Sequence, residues 1–194
     1  MKRFLVLFLL FATTCFASAC ELCGCDKNSD LKFVNHVMVD IQKEVGVQID
    51  QGYGPFLAAI YDKNGKLIAK MPNTVIKEQC SLNHAEVNAI REAQKVLGAY
   101  DLSKYDLTLY SSAEPCIMCT GAIMWSGIKH VYFGVNSKDV EAITGFDEGY
   151  KPDWIAQFKK RHIEVVGGIQ EDEGKKALRK YVTSGHHVYK PSRN

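Results

Sequence analysis

Between residues 52 and 148 the sequence has no cluster of lysines or arginines, and the whole 194-residue chain carries a formal charge of only +2. Lys2 and Arg3 account for that excess. A nucleic-acid-binding enzyme usually presents a basic face, so the charge argues against a nucleic-acid partner and for a small-molecule substrate. Internal repeats and low-complexity segments are also missing, which excludes a stacked-repeat architecture. The apolar opening, Phe4 to Phe16, falls short of the roughly 20 residues a membrane-spanning helix needs. With Lys2 and Arg3 before it and Ala17-Ser18-Ala19 after it, it reads as a secretory signal peptide. A transmembrane anchor is the alternative that its length disfavours. Cleavage after Ala19 would leave Cys20 first, in the periplasm or an equivalent exported space. A cysteine there also suits a lipoprotein, which would tie the protein to a membrane, although Ala17 is a poor stand-in for the leucine usual at that place.

Removing residues 1–19 leaves about 175 residues, enough for one domain with a full core. The expected division is a cysteine-containing linker over 20–30, a domain over 31–183 and a tail over 184–194. Seven cysteines are present, and Cys15 belongs to the signal peptide. In an oxidising compartment Cys20, Cys23, Cys25 and Cys80 can pair among themselves, in a connectivity that sequence does not disclose. C-E-L-C-G-C at 20–25 is a weaker candidate for a second metal site, because no histidine lies nearby and a structural site wants four ligands.

From Asp30 the apolar positions Leu31, Phe33, Val34, Val37, Met38, Ile41 and Val45 follow the 3.6-residue period. Asp30 can cap this helix and Gly46 is expected to close it. Phe56 to Asp62 and Leu67 to Met71 read as two strands joined at Asn64-Gly65, a hairpin turn. Residues 84–97 form a helix, Leu107 to Tyr110 a strand, and Pro115 opens a second helix, since proline suits a first helical position. His130 to Val135 and Ile163 to Gly167 are further strands, and Glu173 to Val182 a last helix. Alternating strands and helices indicate a layered α/β domain.

The chemistry concentrates between Asn83 and Cys119. His84 and Glu86 stand two residues apart at one helix start; Cys116 and Cys119 stand three apart at another, which puts both thiols on one face of the first turn. The helix dipole there stabilises thiolates. One imidazole and two thiolates make three ligands for tetrahedral Zn²⁺ and leave the fourth position to water. Glu86 is not needed as a ligand. A carboxylate beside a metal that lowers the pKa of water to about 7 is the equipment of a hydrolytic centre. A redox pair is the usual alternative for C-x-x-C, and the H-A-E and A-E-P context favours zinc.

H-x-E followed by P-C-x-x-C is the signature of zinc nucleobase deaminases, and the stretch resembles the cytidine-deaminase superfamily. Residues 52–148 look most like bacterial-type guanine deaminases. The matching pieces are G-P-F at 54–56, Asn73, H-A-E-V-N-A-I-R at 84–91, V-L-G-A-Y at 96–100, S-A-E-P-C-I-M-C-T-G-A-I-M-W at 112–125 and G-F-D-E at 145–148. The resemblance implies a three-layer α/β/α fold with a mixed five-stranded sheet and a homodimer. It also implies a hydrolase that converts guanine to xanthine and ammonia. His84, Cys116 and Cys119 would hold Zn²⁺ while Glu86 shuttles protons. Glu148 would hold the amino group or relay a proton, against a plain reading as a solvated loop residue. Phe56, Asn73, Ala85, Trp125, Asp147 and Tyr189 would contact the substrate. Of these, Asn73 is otherwise a turn residue and Trp125 is either core or pocket wall. Glu114 reads as a brace for the loop ahead of the cysteines. The tail, with its His186, His187, Val188 and Tyr189, is either a frayed end or a lid over an active site in a homodimer.

Three rival functions share the zinc motif. A cytidine or deoxycytidylate deaminase lacks G-F-D-E. A tRNA adenosine deaminase fits poorly with neutral charge and an export signal. A non-catalytic zinc module has no need of Glu86. Related aminopurines, or aminotriazines such as ammeline, present a similar amino-carbon edge.

Overall fold

The computed structural model describes residues 30–190. The signal peptide, Cys20, Cys23 and Cys25 lie outside the described residues. Helix α1 (Leu31–Asp50) begins at Asp30, whose carboxylate accepts the Lys32 amide at 2.9 Å. It does not stop at Gly46. A helical glycine costs about 1 kcal/mol relative to alanine, and the helix continues because Val45, Gln48 and Ile49 are all buried on its inner face.

Strands β1 (Leu57–Tyr61) and β2 (Leu67–Pro72) pair antiparallel. Their connection is wider than a two-residue turn. The Asp62 carboxylate accepts the amides of Asn64 and Lys66, and Gly65 takes a left-handed φ of 76°. Helix α2 (Val75–Glu78) follows, then α3 (Ala85–Leu97), closed by left-handed Gly98. Strand β3 (Thr108–Ala113) leads into α4 (Ile117–Ser126) and β4 (His130–Val135) into α5 (Ser137–Thr144). Helix α6 (Trp154–Lys160), strand β5 (Glu164–Val166) and helix α7 (Glu171–Thr183) complete the described chain.

The sheet order is β2-β1-β3-β4-β5. β1 is antiparallel to β2 and β3, while β3, β4 and β5 run parallel. This is the expected mixed five-stranded sheet. Alternation along the strands supplies two cores. Leu57, Ala59, Tyr110 and Tyr132 face α1, α5 and α7. Ala58, Ile60, Leu109 and Val131 face α3, α4 and α6. A sheet covered on both faces needs strands apolar on both faces, and β1 is buried from Leu57 to Ile60. No helix among the described residues is long and apolar enough to cross a membrane.

Candidate active site

Two helix starts meet beside the sheet. His84 is the N-cap of α3, with extended backbone, and Glu86 lies in the first turn. Cys116 is the N-cap of α4 and Cys119 sits in its first turn. Pro115 therefore stands one residue ahead of the cap and not at the first helical position, because Cys116 keeps a ψ of 172° before the helix begins. Asn88 holds the neighbourhood together. Its amide donates to the carbonyls of Pro72 and Asn83 and to the Thr74 hydroxyl, at 3.0–3.2 Å, so α3 is pinned to the loop that leaves β2.

His84 Nδ1 lies 3.4 Å from Cys116 Sγ, and donor atoms of His84, Cys116 and Cys119 all fall within 4.8 Å of one another. Glu86 lies against this group. It is 7% exposed, its Oε2 accepts from Cys119 Sγ at 3.4 Å and its Oε1 accepts from Ser111 Oγ at 3.3 Å.

The charges are tightly linked. The hydrogen bond from Cys119 draws the Cys116 thiol down to about 4, against burial and with help from His84. The same bond and burial push Cys119 up. Burial lowers His84, but its hydrogen bond to Cys116 and the negative charge of Cys116, Glu86 and Glu148 outweigh that, and His84 is raised. Burial first, then Cys116, raises Glu86. Glu148 is pushed up to about 8 by burial, then by Cys116 and Glu86, with Lys151 pulling the other way. A stabilised thiolate beside a second thiol and an imidazole is a donor set that fits a tetrahedral metal ion.

The group opens onto a cavity of about 920 Å³. Its walls are aromatic: the Phe56 and Phe146 rings meet at 5.4 Å, Phe146 and Tyr189 at 4.8 Å, and His84 and Tyr189 at 6.2 Å. A few polar groups face into these walls, as in sites for small planar ligands.

Residues 30–135 match the family described as the cytidine and deoxycytidylate deaminase zinc-binding region. The chain belongs to this family. Guanine deaminase from Bacillus subtilis is 43% identical over 102 residues, 53% of this chain; the chain spans 64% of that relative's length. The solved structure of guanine deaminase from Nitrosomonas europaea is 39% identical, with a TM-score of 0.72 over 75% of this chain and 82% of that one. A structure solved in complex with 2,6-diaminopurine matches at 39% identity and a TM-score of 0.74, over 79% of this chain and 83% of that one.

Within this deaminase-family site, His84, Glu86, Cys116 and Glu148 line the cavity, and Cys119 lies fully buried behind Cys116. Phe56, Asn73, Asp147 and Tyr189 line it too, with Asp147 exposed between buried Phe146 and Glu148 and its carboxylate accepting the Gly149 amide. Asn73 is fully buried.

Two residues expected at the substrate lie elsewhere. Trp125 is 90% exposed, because the inner face of α4 is taken by Cys119, Thr120, Ile123 and Ser126. Ala85 packs its methyl group into the core with Ala89 and Ile90 and does not line the cavity. The tail is strapped onto its own chain: the Tyr181 hydroxyl donates to the His187 carbonyl at 2.5 Å, and the rings of Tyr181 and His186 stack at 5.0 Å. No disulfide joins the described cysteines, Cys80, Cys116 and Cys119; the pairing expected of Cys80 involves Cys20, Cys23 and Cys25, which lie outside the described residues.

Sequence reasoning missed Phe146, Ser111 and Lys151. Phe146 stands inside the G-F-D-E motif, and Ser111 alternates with Ala113 on β3, a period-2 signal that could have found it. Lys151 carried no local signal.

Proposed function

We propose that this protein is a zinc-dependent hydrolase that deaminates a free nucleobase, guanine being the substrate that fits best. Glu86 is the observation that carries the reading. It is a buried carboxylate in contact with the metal-type donor group, in a position that a purely structural site would not require. His84, Cys116 and Cys119 would hold the zinc ion, which when bound supplies Lewis acidity and lowers the pKa of water.

Glu86 then has two tasks. It takes one proton from the attacking water and passes it to a ring nitrogen of the base, then takes the second from the new C2 hydroxyl and delivers it to the departing amino group. The net change exchanges the C2–NH₂ bond for C2=O and releases ammonia. Glu148 faces the same cavity and can hold the amino group or pass it a proton. Asn73 offers an amide to the edge of the base, and Phe56, Phe146 and Tyr189 enclose its faces. Excluding water in this way strengthens the electrostatics inside.

The reading also includes removal of residues 1–19 on export, from the make-up of the N-terminus, and a homodimer, from the family resemblance; light scattering on the purified protein tests the latter. The substrate is tested by ammonia release from guanine, guanosine, cytidine, adenine, ammeline and a tRNA anticodon stem-loop. Guanine is expected to react fastest. A preference for cytidine or for the RNA would reject the guanine reading, and no release from any of them would reject deamination.

A further inference from the structure

Glu148 sits in an irregular segment between α5 and α6, which Phe146 anchors at one end by packing against Phe56, Tyr181 and Tyr189. The Glu148 amide donates to the Glu141 carboxylate of α5 at 3.3 Å, and the Glu148 carbonyl accepts the Ile117 amide of α4 at 3.1 Å. Lys151, three residues on, anchors the far end of the segment. Its ammonium has three protons to donate, and all three find partners outside the segment. They go to Glu114 Oε1 at 2.7 Å, the Pro115 carbonyl at 2.8 Å and Ser137 Oγ at 2.6 Å. The other oxygen of Glu114 accepts the Ser137 amide at 3.0 Å, at the start of α5.

The Lys151 and Glu114 side chains are only 7% and 13% exposed, and the ammonium also lies 5.4 Å from the Trp154 ring centroid. A buried charge pair is a poor choice for stability alone, since well-packed apolar side chains often do as well. What this pair does achieve is geometric. It ties together the turn that presents Cys116, the first residue of α5 and the segment that presents Glu148.

We propose that Lys151 is a positioning residue for deamination, holding the Glu148 segment in register with the Cys116 turn. The proposal rests on the deaminase reading above. It assigns a task to Glu114 as well: beyond bracing the turn, Glu114 is the counter-charge that lets Lys151 stay buried there.

Lys151→Met, Lys151→Arg and the double variant Lys151→Met/Glu114→Gln test it. With Lys151→Met, kcat on guanine should fall about ten- to a hundredfold, the scale of a small misplacement of a reacting group, while KM and zinc content stay near wild type. Backbone amides of residues 145–153 should exchange with solvent faster. Lys151→Arg should recover part of kcat. The double variant removes the orphaned carboxylate, so its melting temperature should recover while kcat stays low; it also decides the matter if Lys151→Met alone does not fold. Unchanged kcat and unchanged exchange in Lys151→Met would overturn the proposal. So would recovery of kcat together with melting temperature in the double variant, because the pair would then be structural only. Should the wild-type protein deaminate no base, the deaminase reading fails separately, and the exchange rates of residues 145–153 still decide whether Lys151 holds the segment.

Discussion

The side-chain amide of Asn73 donates to the hydroxyl of Tyr189 at 2.6 Å, across 116 residues of sequence. The contact settles the orientation of Asn73, whose Oδ1 accepts the Val75 amide at 3.2 Å and so leaves the amide nitrogen for Tyr189 and the cavity. Gly54 makes room for it: a Cβ there would stand 2.6 Å from Asn73 Oδ1. Two groups that share a wall of the cavity therefore depend on one another.

Tyr189→Phe should lower kcat/KM on guanine by about tenfold, since a lost hydrogen bond that leaves a buried donor unpaired costs about 1–3 kcal/mol and 1.4 kcal/mol is a factor of ten. Truncation after Thr183 should lower it further, with zinc retained. A truncated enzyme of full activity would show that the tail is dispensable.

Glu86→Ala is expected to keep stoichiometric zinc and to lose at least about a hundredfold in turnover, the low end for removing a general acid–base. Metal analysis and steady-state kinetics on one preparation check both halves. Near-normal turnover would end the proposed mechanism.

Replacing Glu148 by Gln keeps its size and removes its charge. Turnover on guanine should drop by about tenfold or more, as for loss of a group that moves a proton, with zinc still bound. An unchanged rate would return Glu148 to the part of an ordinary loop residue.

Cys119→Ser, or treatment with a strong chelator, should remove metal and lower the melting temperature together, because metal binding is coupled to folding. Adding Zn²⁺ back should restore the chelated wild type. Melting that ignores chelation would speak against a resident ion at His84, Cys116 and Cys119.

Intact mass of protein recovered from an exporting host should correspond to a chain that begins at Cys20. A mass that retains residues 1–19 contradicts cleavage, and an added diacylglyceryl group would show a lipoprotein.

The local pattern of residues determined a good deal. Spacing of three placed Cys116 and Cys119 on one turn, and two helix starts were legible from His84 to Leu97 and just after Pro115, because capping and helical periodicity act over a few residues. The five strands and the helices α1, α3, α4 and α7 were equally legible, because alternation along each strand and helix reports which faces are covered, whereas the shorter helices α2, α5 and α6 were not read from the sequence. Where an outcome depended on partners far away in sequence, those signals did not reach. Gly46 looked like a helix end, yet buried Val45 and Ile49 carry α1 past it. Trp125 follows the second cysteine closely enough to suggest a pocket wall, but the rotation of α4 about its axis, set by packing against the core, turns it to solvent. The hydrogen bond of Asn73 to Tyr189 and the clamp of Lys151 on Glu114, Pro115 and Ser137 join segments whose proximity exists only once the sheet has brought their ends together. Periodicity and capping are short-range properties, whereas a pairing between distant side chains is decided by the packing of the whole domain.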